Sequence, residues 1–220
     1  MSSRWINLGA LAAVVVGLSP LAAPQLLAFP YAVTIGRHRV YSEAPIDPRL
    51  AQLVKAADAT VTASPLGSAR AANQPIFLTN GGWRWTWLTL QNRRAFAITR
   101  PLVETIIVNR SDVGGDVVEN GRAIAGRRSL HGTLAHEMTH GLIRAHFGPG
   151  ADATYPAELR EGYCDYVAGG GSLSDADARK LEAQGRFVPA LTYWRGRKKV
   201  EAALAANHGN VDALFAEWRG

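Results

Sequence analysis

Two histidines four residues apart, with a glutamate after the first, occur in the segment His136-Glu137-Met138-Thr139-His140. On an α-helix, side chains four apart project from the same face, so both imidazoles can direct a ring nitrogen at one ion. Zinc suits such a pair, because a catalytic zinc binds neutral imidazole and leaves one position to water. Glu137 would lie beside that water, where its carboxylate can accept a proton. The segment therefore predicts a hydrolytic zinc site.

The flanking residues predict that this segment is helical. Ser129 is a candidate N-cap, and Gly148 is a candidate stop at the other end. Between them an apolar stripe would face the core, formed by Leu130, Leu134, Leu142 and Ile143. A surface helix with two unrelated histidines is the alternative that this segment alone leaves open.

A second predicted helix, at residues 156–168, carries carboxylates that fit the same site. Pro156 suits its first turn, and a run of glycines ends it. Glu161 and Asp165 are four apart and share a face. Glu161 can therefore be a third zinc ligand, and Asp165 can accept the other N–H of a ligating histidine. Glu158 stays an alternative ligand, although no carboxylate follows it four residues later.

These two segments together resemble the active site of the gluzincin zinc metallopeptidases, the thermolysin-like group. In that group HExxH is followed, about twenty residues on, by a glutamate-bearing helix. The resemblance covers the two segments and the residues between them. It implies that His136, His140 and Glu161 bind one Zn²⁺ per chain. It also implies that Glu137 is the general base and that Asp165 supports a ligating histidine.

The resemblance implies a zincin-like α+β fold, in which a small twisted sheet packs on the active-site helix and the glutamate-bearing helix. A small helical lobe would follow at the C-terminus. Residues 29–220 would form one metallopeptidase-like domain, with the sheet and active-site helix at 29–150 and the remaining helices at 151–220. The pattern predicts strands at 33–41, 76–78, 95–99 and 105–108. It predicts further helices at 47–61, 174–185, 191–207 and 211–218.

Enzymes of this group need a donor aimed at the oxyanion that develops on the substrate, often a Tyr or His from the later region. Tyr193 is the first candidate for this second catalytic role, with His208 and Tyr163 behind it. Two further residues compete as metal ligands. His146 stands where the metzincin pattern has its third histidine, but that pattern's glycine is missing, so a surface or helix-end position is expected. Cys164 is expected to be a small buried thiol rather than a ligand.

The N-terminal segment, residues 1–28, differs in kind from the rest. Arg4 precedes an apolar stretch at 5–18 that continues more loosely to position 28. This pattern is typical of an export signal or a membrane anchor. Pro20 and Pro24 favour the shorter, signal-like reading, but no small-x-small cleavage site is present. We predict an anchor with the catalytic domain outside the cytoplasm, or a secreted or periplasmic protein if the segment is cleaved.

Aromatic and basic residues add two expectations. Trp83, Trp85 and Trp87 alternate, which predicts three indoles on one face of a strand; core packing is expected over a cleft or membrane contact. The net charge of +6 includes three basic clusters, Arg93-Arg94, Arg127-Arg128 and the run at 195–199. Because no nucleic-acid motif accompanies them, they are expected to be solvated surface, and no nucleic-acid partner is predicted.

The most specific hypothesis is a zinc-dependent peptidase acting on a peptide or protein substrate, with Glu137 as general base. The alternative is a non-enzymatic extracytoplasmic zinc-binding module of degenerate peptidase fold. A basic membrane-surface protein with a chance motif is a third class. Cleavage specificity and oligomeric state stay open.

Overall fold

The computed structural model describes residues 2–69, 73–90, 92, 94–121 and 125–218, without the side chains of 2–9, 12 and 13. Arg93 of the first basic cluster, and the side chains of Arg4 and Trp5, lie outside the described residues. Helix accounts for 51% and strand for 15%, so the α+β class predicted from the sequence is confirmed at that level.

The described helices are α1 (Ser2–Ala22), α2 (Leu50–Thr62), α3 (Trp83–Thr89), α4 (Leu130–Phe147), α5 (Ala151–Thr154), α6 (Ala157–Val167), α7 (Asp175–Ala183), α8 (Pro189–Ala206) and α9 (Val211–Glu217). The described strands are β1 (Tyr31–Ile35), β2 (His38–Ser42), β3 (Ile76–Leu78), β4 (Ala97–Arg100), β5 (Thr105–Val108), β6 (Arg110–Asp112), β7 (Val117–Glu119) and β8 (Arg127–Ser129). A short 3₁₀ turn, Pro24–Leu27, follows α1.

The main sheet has five strands in the order β1-β2-β3-β5-β4. Strands β2, β3 and β5 run parallel, and the two edge strands, β1 and β4, are antiparallel to their neighbours. Both β3 and β5 are buried throughout, as expected for short apolar strands covered on both faces. A second, three-stranded sheet has the order β6-β7-β8 and leads directly into α4.

The prediction of one strand at 33–41 is wrong, because the structure divides this run into the hairpin β1-β2. Ile35 pairs with His38, and Gly36 in the connecting turn has a φ of 56°. A glycine adopts this left-handed conformation without steric cost, so the chain reverses there. The predicted strands at 76–78 and 105–108 are confirmed. The strand predicted at 95–99 begins two residues later and ends one residue later, as β4.

Helix α4, which carries the HExxH segment, lies in the largest core. Helix α4 packs against α2, α6 and β4, and most of its residues are buried. Apolar side chains from the sheet and from these helices close the core around it, among them Leu50, Val54, Ile76, Ile106, Leu134 and Met138. Burial of this kind holds α4 in position against the sheet, because each large apolar side chain contributes about 1.5–3 kcal/mol.

The three alternating tryptophans do not share a strand face, which corrects the sequence-based prediction. They lie in α3, where successive residues turn by about 100°, so residues two apart point in nearly opposite directions. Trp85 is 3% exposed and packs with Phe77 and Ile107 in a second, smaller core. Trp83 and Trp87, four apart, are on the outer side and are exposed.

The helices of the C-terminal part agree with the prediction. Ser174 caps α7, and its hydroxyl accepts a hydrogen bond from the Asp177 N–H. Helix α8 packs closely on α6 where two glycines meet, Gly162 of α6 and Gly196 of α8. A Cβ atom at Gly196 would lie 2.1 Å from the main-chain oxygen of Glu158, so only glycine permits this approach.

The N-terminal segment forms α1 and the 3₁₀ turn. Helix α1 extends beyond the predicted apolar stretch and contains Pro20. Its described side chains include several exposed apolar ones: Leu11, Val14, Val15, Val16 and Leu18. No helix among the described residues meets the length and hydropathy needed to cross a membrane. The predicted role of residues 1–28 in export or anchoring stays a prediction.

The close crossing of α6 and α8 can be tested by its contribution to folding stability. Gly196→Ala should lower the free energy of unfolding by about 2 kcal/mol, because the new methyl group meets backbone atoms that cannot move aside independently. Chemical denaturation would measure this. Gly121→Ala is the matched control, because a Cβ there has nothing within 4 Å, and its effect should stay within about 0.5 kcal/mol. A gain of about 1 kcal/mol in Gly196→Ala, the usual helix-propensity effect, would contradict this close crossing.

Candidate metal centre

Helix α4 presents both histidines of the HExxH segment to one buried site. The helix begins as predicted, since the Ser129 hydroxyl accepts a hydrogen bond from the Gly132 N–H, and it ends at Gly148. His136 is 4% exposed, and the rings of His136 and His140 lie with centroids 5.1 Å apart. The expected spacing of the two imidazoles along one helix face is therefore confirmed.

Glu161 of α6 lies between the two histidine rings. Its Oε2 is 3.2 Å from His136 Nε2, and its Oε1 is 3.7 Å from His140 Nε2. Two ligands about 2.05 Å from a tetrahedral zinc are about 3.3 Å apart, so these distances suit a shared ion. Glu158 does not compete, because its carboxylate pairs with Lys199 Nζ at 2.8 Å. Of the two glutamates weighed from the sequence, the structure brings Glu161 to the histidines.

Cys164, one turn after Glu161 on α6, also reaches this site. Potential ligand atoms of His136, His140 and Cys164 all lie within 4.8 Å of one another, and all three residues are buried. This His-His-Cys group could hold a metal ion. Cys164 is buried, as the sequence predicted, yet it is nearer the metal site than that prediction assumed.

The two possible third ligands differ in their protonation. Burial raises the pKa of the Cys164 thiol well above its usual range, and the negative charge of Glu161 adds to this. Burial acts to raise the pKa of Glu161 too, but His140 and His136 outweigh it and hold that pKa at about 2. Glu161 is thus an anion before any metal binds, whereas Cys164 would first have to lose a proton.

Asp165 orients the first histidine, as predicted for a supporting carboxylate. His136 Nδ1 lies 2.8 Å from Asp165 Oδ1, which turns Nε2 toward Glu161. Burial and the Arg128 charge act to lower the pKa of His136, but hydrogen bonds to Asp165 and Glu161 raise it to about 9. Burial alone would raise the pKa of Asp165, yet Arg128 and His136 hold it at about 2.

Arg128 belongs to the site, which corrects its assignment to a solvated basic cluster. Its Nη2 lies 2.5 Å from Asp165 Oδ1 and 3.0 Å from the main-chain oxygen of Gly170, and its side chain is only 11% exposed. The neighbouring Arg127 is 70% exposed, so the two members of this pair have different environments. Sequence reasoning missed Arg128 because its partner lies 37 positions away.

Thr99 on the edge strand β4 holds the predicted general base. Its hydroxyl lies 2.7 Å from Glu137 Oε2 and 3.0 Å from the Glu137 main-chain oxygen. The hydroxyl can donate to either oxygen, so the carboxylate is held against the edge strand. The sequence offered no signal for this contact, because Thr99 is 38 residues from Glu137 in the chain.

These groups open into a cleft of about 670 Å³. Its lining includes Ala97, Ile98 and Thr99 of β4, together with the start of α8 and the residues before it. The groups already described also line it: His136, Glu137, His140 and Glu161. Of the two edge strands of the main sheet, β1 and β4, it is β4 that lines this cleft.

Of the three predicted oxyanion donors, Tyr193 alone lines the described cleft. Burial raises its pKa to about 12, helped by the charges of Glu161 and Asp165, so the hydroxyl stays protonated and can donate. Tyr163 is buried in the core against Phe215. His208 lies in the turn after α8 and is not among the described lining residues. The two reserve candidates are thus not supported.

His146 is also outside the centre, as expected. His146 lies in the last turn of α4, and its side chain is 35% exposed. Its Nε2 is 2.7 Å from Oδ1 of Asp212, in the first turn of α9. The metzincin-like position therefore supplies no ligand.

Comparison with known proteins adds no relative. No protein family matches this chain, and neither a curated protein nor a solved structure does. The resemblance to gluzincins accordingly rests on the two segments alone and stays a prediction.

Zinc binding distinguishes the two candidate third ligands. Glu161→Gln should weaken zinc binding by about 100-fold or more, because it removes the charged oxygen that would bind the same zinc ion as the two histidines. Cys164→Ser should change it by about threefold or less. Competition with a zinc-chelating dye would measure both affinities, and Glu158→Gln is the matched control. Loss of zinc in Cys164→Ser, with zinc retained in Glu161→Gln, would establish the His-His-Cys set instead.

Proposed function

We propose that this protein is a zinc-dependent peptidase of gluzincin type, with His136, His140 and Glu161 holding one Zn²⁺. The observation that carries the proposal is the position of Glu161 between the two histidine rings, at 3.2 and 3.7 Å. Glu137, the residue after the first histidine, opens into the same cleft. A site that only stabilised the fold would not need a carboxylate in that position.

Bound zinc would polarise a scissile carbonyl and make a water molecule more acidic. Glu137 takes a proton from the attacking water and returns it to the leaving amine, while Thr99 keeps the carboxylate in place. Tyr193, which lines the same cleft, donates a hydrogen bond from its hydroxyl to the oxyanion of the substrate. Asp165 and Arg128 hold the His136 ring in the orientation that this chemistry needs.

The substrate is proposed to be an extended peptide or protein segment that pairs with β4. This strand is an edge of the sheet and lines the cleft beside the general base. Pairing through backbone hydrogen bonds tolerates varied side chains, which suits a peptidase. The arrangement of sheet, active-site helix, glutamate-bearing helix and helical lobe supports the zincin-like version of the α+β fold.

We propose the same cellular location as the sequence predicts, outside the cytoplasm. Residues 1–28 would export the protein or hold it at a membrane, with residues 29–220 outside the cytoplasm. Exported proteases meet peptides and proteins there, and no nucleic-acid partner is proposed.

Cys164 favours one second candidate, a non-enzymatic zinc-binding module of degenerate peptidase fold. If Cys164 joined the other three residues as a fourth ligand, the zinc would be closed to water, as in structural sites. The position of Glu137 opposes this arrangement, because a zinc closed to water needs no general base in the same cleft. The peptidase is therefore the function that we favour.

Replacement of the general base tests the proposed function. Glu137→Gln should lower kcat for peptide hydrolysis by at least about 1,000-fold, because the amide cannot accept the proton from water. Zinc content should not change, since Glu137 is not a ligand. Activity would be measured on a denatured protein substrate and a mixed peptide pool, with zinc determined by elemental mass spectrometry. A Glu137→Gln protein that cleaves at the wild-type rate would refute the mechanism, and a wild-type protein that binds zinc without cleaving would favour the module.

The contact between Thr99 and Glu137 makes a second prediction. Thr99→Val keeps the side-chain shape but removes the hydroxyl, so kcat should fall by about tenfold with KM and zinc affinity little changed. Thr99→Ser keeps the hydroxyl and should restore most of the lost rate. Steady-state kinetics on a cleaved peptide would measure the two constants. An equal loss in Thr99→Val and Thr99→Ser would mean that β-strand packing, rather than the hydrogen bond, is responsible.

A further inference from the structure

An exposed aromatic surface lies on α3, on the side opposite its buried residues. Trp83 is 61% exposed, Trp87 is 40% exposed, and Leu90, directly after the helix, is 51% exposed. Trp83 and Trp87 are four apart, so they lie along one side of the helix, and Leu90 is the residue that caps its end. Trp85 occupies the other side and is buried in the smaller core. The helix thus leaves two indoles outside although the fold buries the third.

Arg84 connects this side of α3 to the segment that follows α1. Its Nε donates to the Leu27 main-chain oxygen at 2.8 Å, and its Nη2 donates to the Ala28 oxygen at 3.1 Å. The guanidinium carbon also lies 4.7 Å from the Trp83 ring centroid. Leu26, which precedes Leu27 in the 3₁₀ turn, is 60% exposed. We refer to Trp83, Trp87 and Leu90 as the aromatic surface.

The chain itself indicates what covers this surface. The turn that carries Leu26 is directly continuous with α1, whose exposed side chains are apolar from Leu11 to Leu18 apart from glycine. Glu43, the acidic group nearest Arg84, lies 3.5 Å from it and is paired with it. An apolar helix that is followed by exposed tryptophans is typical of a segment at a bilayer surface.

We infer that the aromatic surface contacts the head-group region of an anionic lipid bilayer, beside the point where α1 meets it. Indole rings favour this depth because they are apolar yet can donate a hydrogen bond to a polar group. The net charge of +6 would attract anionic lipid to the protein. This contact extends the proposed location at a membrane, and it is independent of hydrolysis and of zinc.

Residue-resolved oxidation tests the contact in the intact wild-type chain. Hydroxyl-radical footprinting would be done with and without vesicles of equal parts phosphatidylglycerol and phosphatidylcholine. Oxidation of Trp83 and Trp87 should fall about fivefold or more when vesicles are present. Leu102, which is 97% exposed on the β4-β5 turn, is the matched control and should react at the same rate in both conditions. Unchanged oxidation of both tryptophans overturns the inference.

A double variant tests whether a lipid bilayer, rather than a second copy of the chain, covers the aromatic surface. Trp83→Gln with Trp87→Gln should raise the lipid concentration for half-maximal vesicle binding by about tenfold, whereas Leu102→Gln should leave it unchanged. An unchanged midpoint in the double variant overturns the inference. Protection that appears without vesicles and grows with protein concentration also overturns it, because a second copy would then cover the surface. Since neither readout involves cleavage, either result leaves the peptidase proposal standing.

Discussion

The whole arrangement depends on the pairing of buried charges between α4 and α6. Glu161 and Asp165 stay ionised there because His136, His140 and Arg128 surround them. A lone buried carboxylate would cost several kcal/mol, so each charge requires its partner. The two helices meet where both carboxylates reach histidine nitrogens: Asp165 lies 2.8 Å from His136, and Glu161 lies 3.2 Å from His136 and 3.7 Å from His140. The chemistry of the site and the packing of the helices are therefore one constraint.

The approach of α8 to α6 follows from a different requirement, the absence of side chains at their crossing. Gly162 and Gly196 let the two backbones meet, and a Cβ on either would overlap main-chain atoms of the other helix. Tyr193 lies three residues before Gly196, so the same crossing sets how far the phenol stands from the cleft floor. The crossing at Gly196 thus fixes α8, whose Tyr193 lines the cleft, against α6.

Local sequence predicted the parts of the site that local physics decides. The cap at Ser129, the stop at Gly148 and the four-residue spacings on α4 and α6 follow from helix geometry, and the structure confirms them. Thr99 and Arg128 could not be predicted, because their partners are 38 and 37 positions away and depend on how β4 and β8 meet the helices. The period-two spacing of the tryptophans indicated a strand, but the fold buries only Trp85, which a short helix achieves as well.

An ion network closes the other end of the cleft and explains why β4 stays beside α4. Arg144 of α4 donates to both oxygens of Glu104, at 2.6 and 2.7 Å, and Glu104 lies in the turn that joins β4 to β5. Arg144 also bonds Asp152 at 2.9 Å, and Asp152 accepts a bond from Arg160 of α6 at 3.0 Å. The network ties the hairpin of β4 and β5 to both α4 and α6. Because Arg128 of β8 also ties to Asp165 of α6, ion pairs hold the elements around the cleft in two places, and Thr99 of β4 stays beside Glu137 of α4.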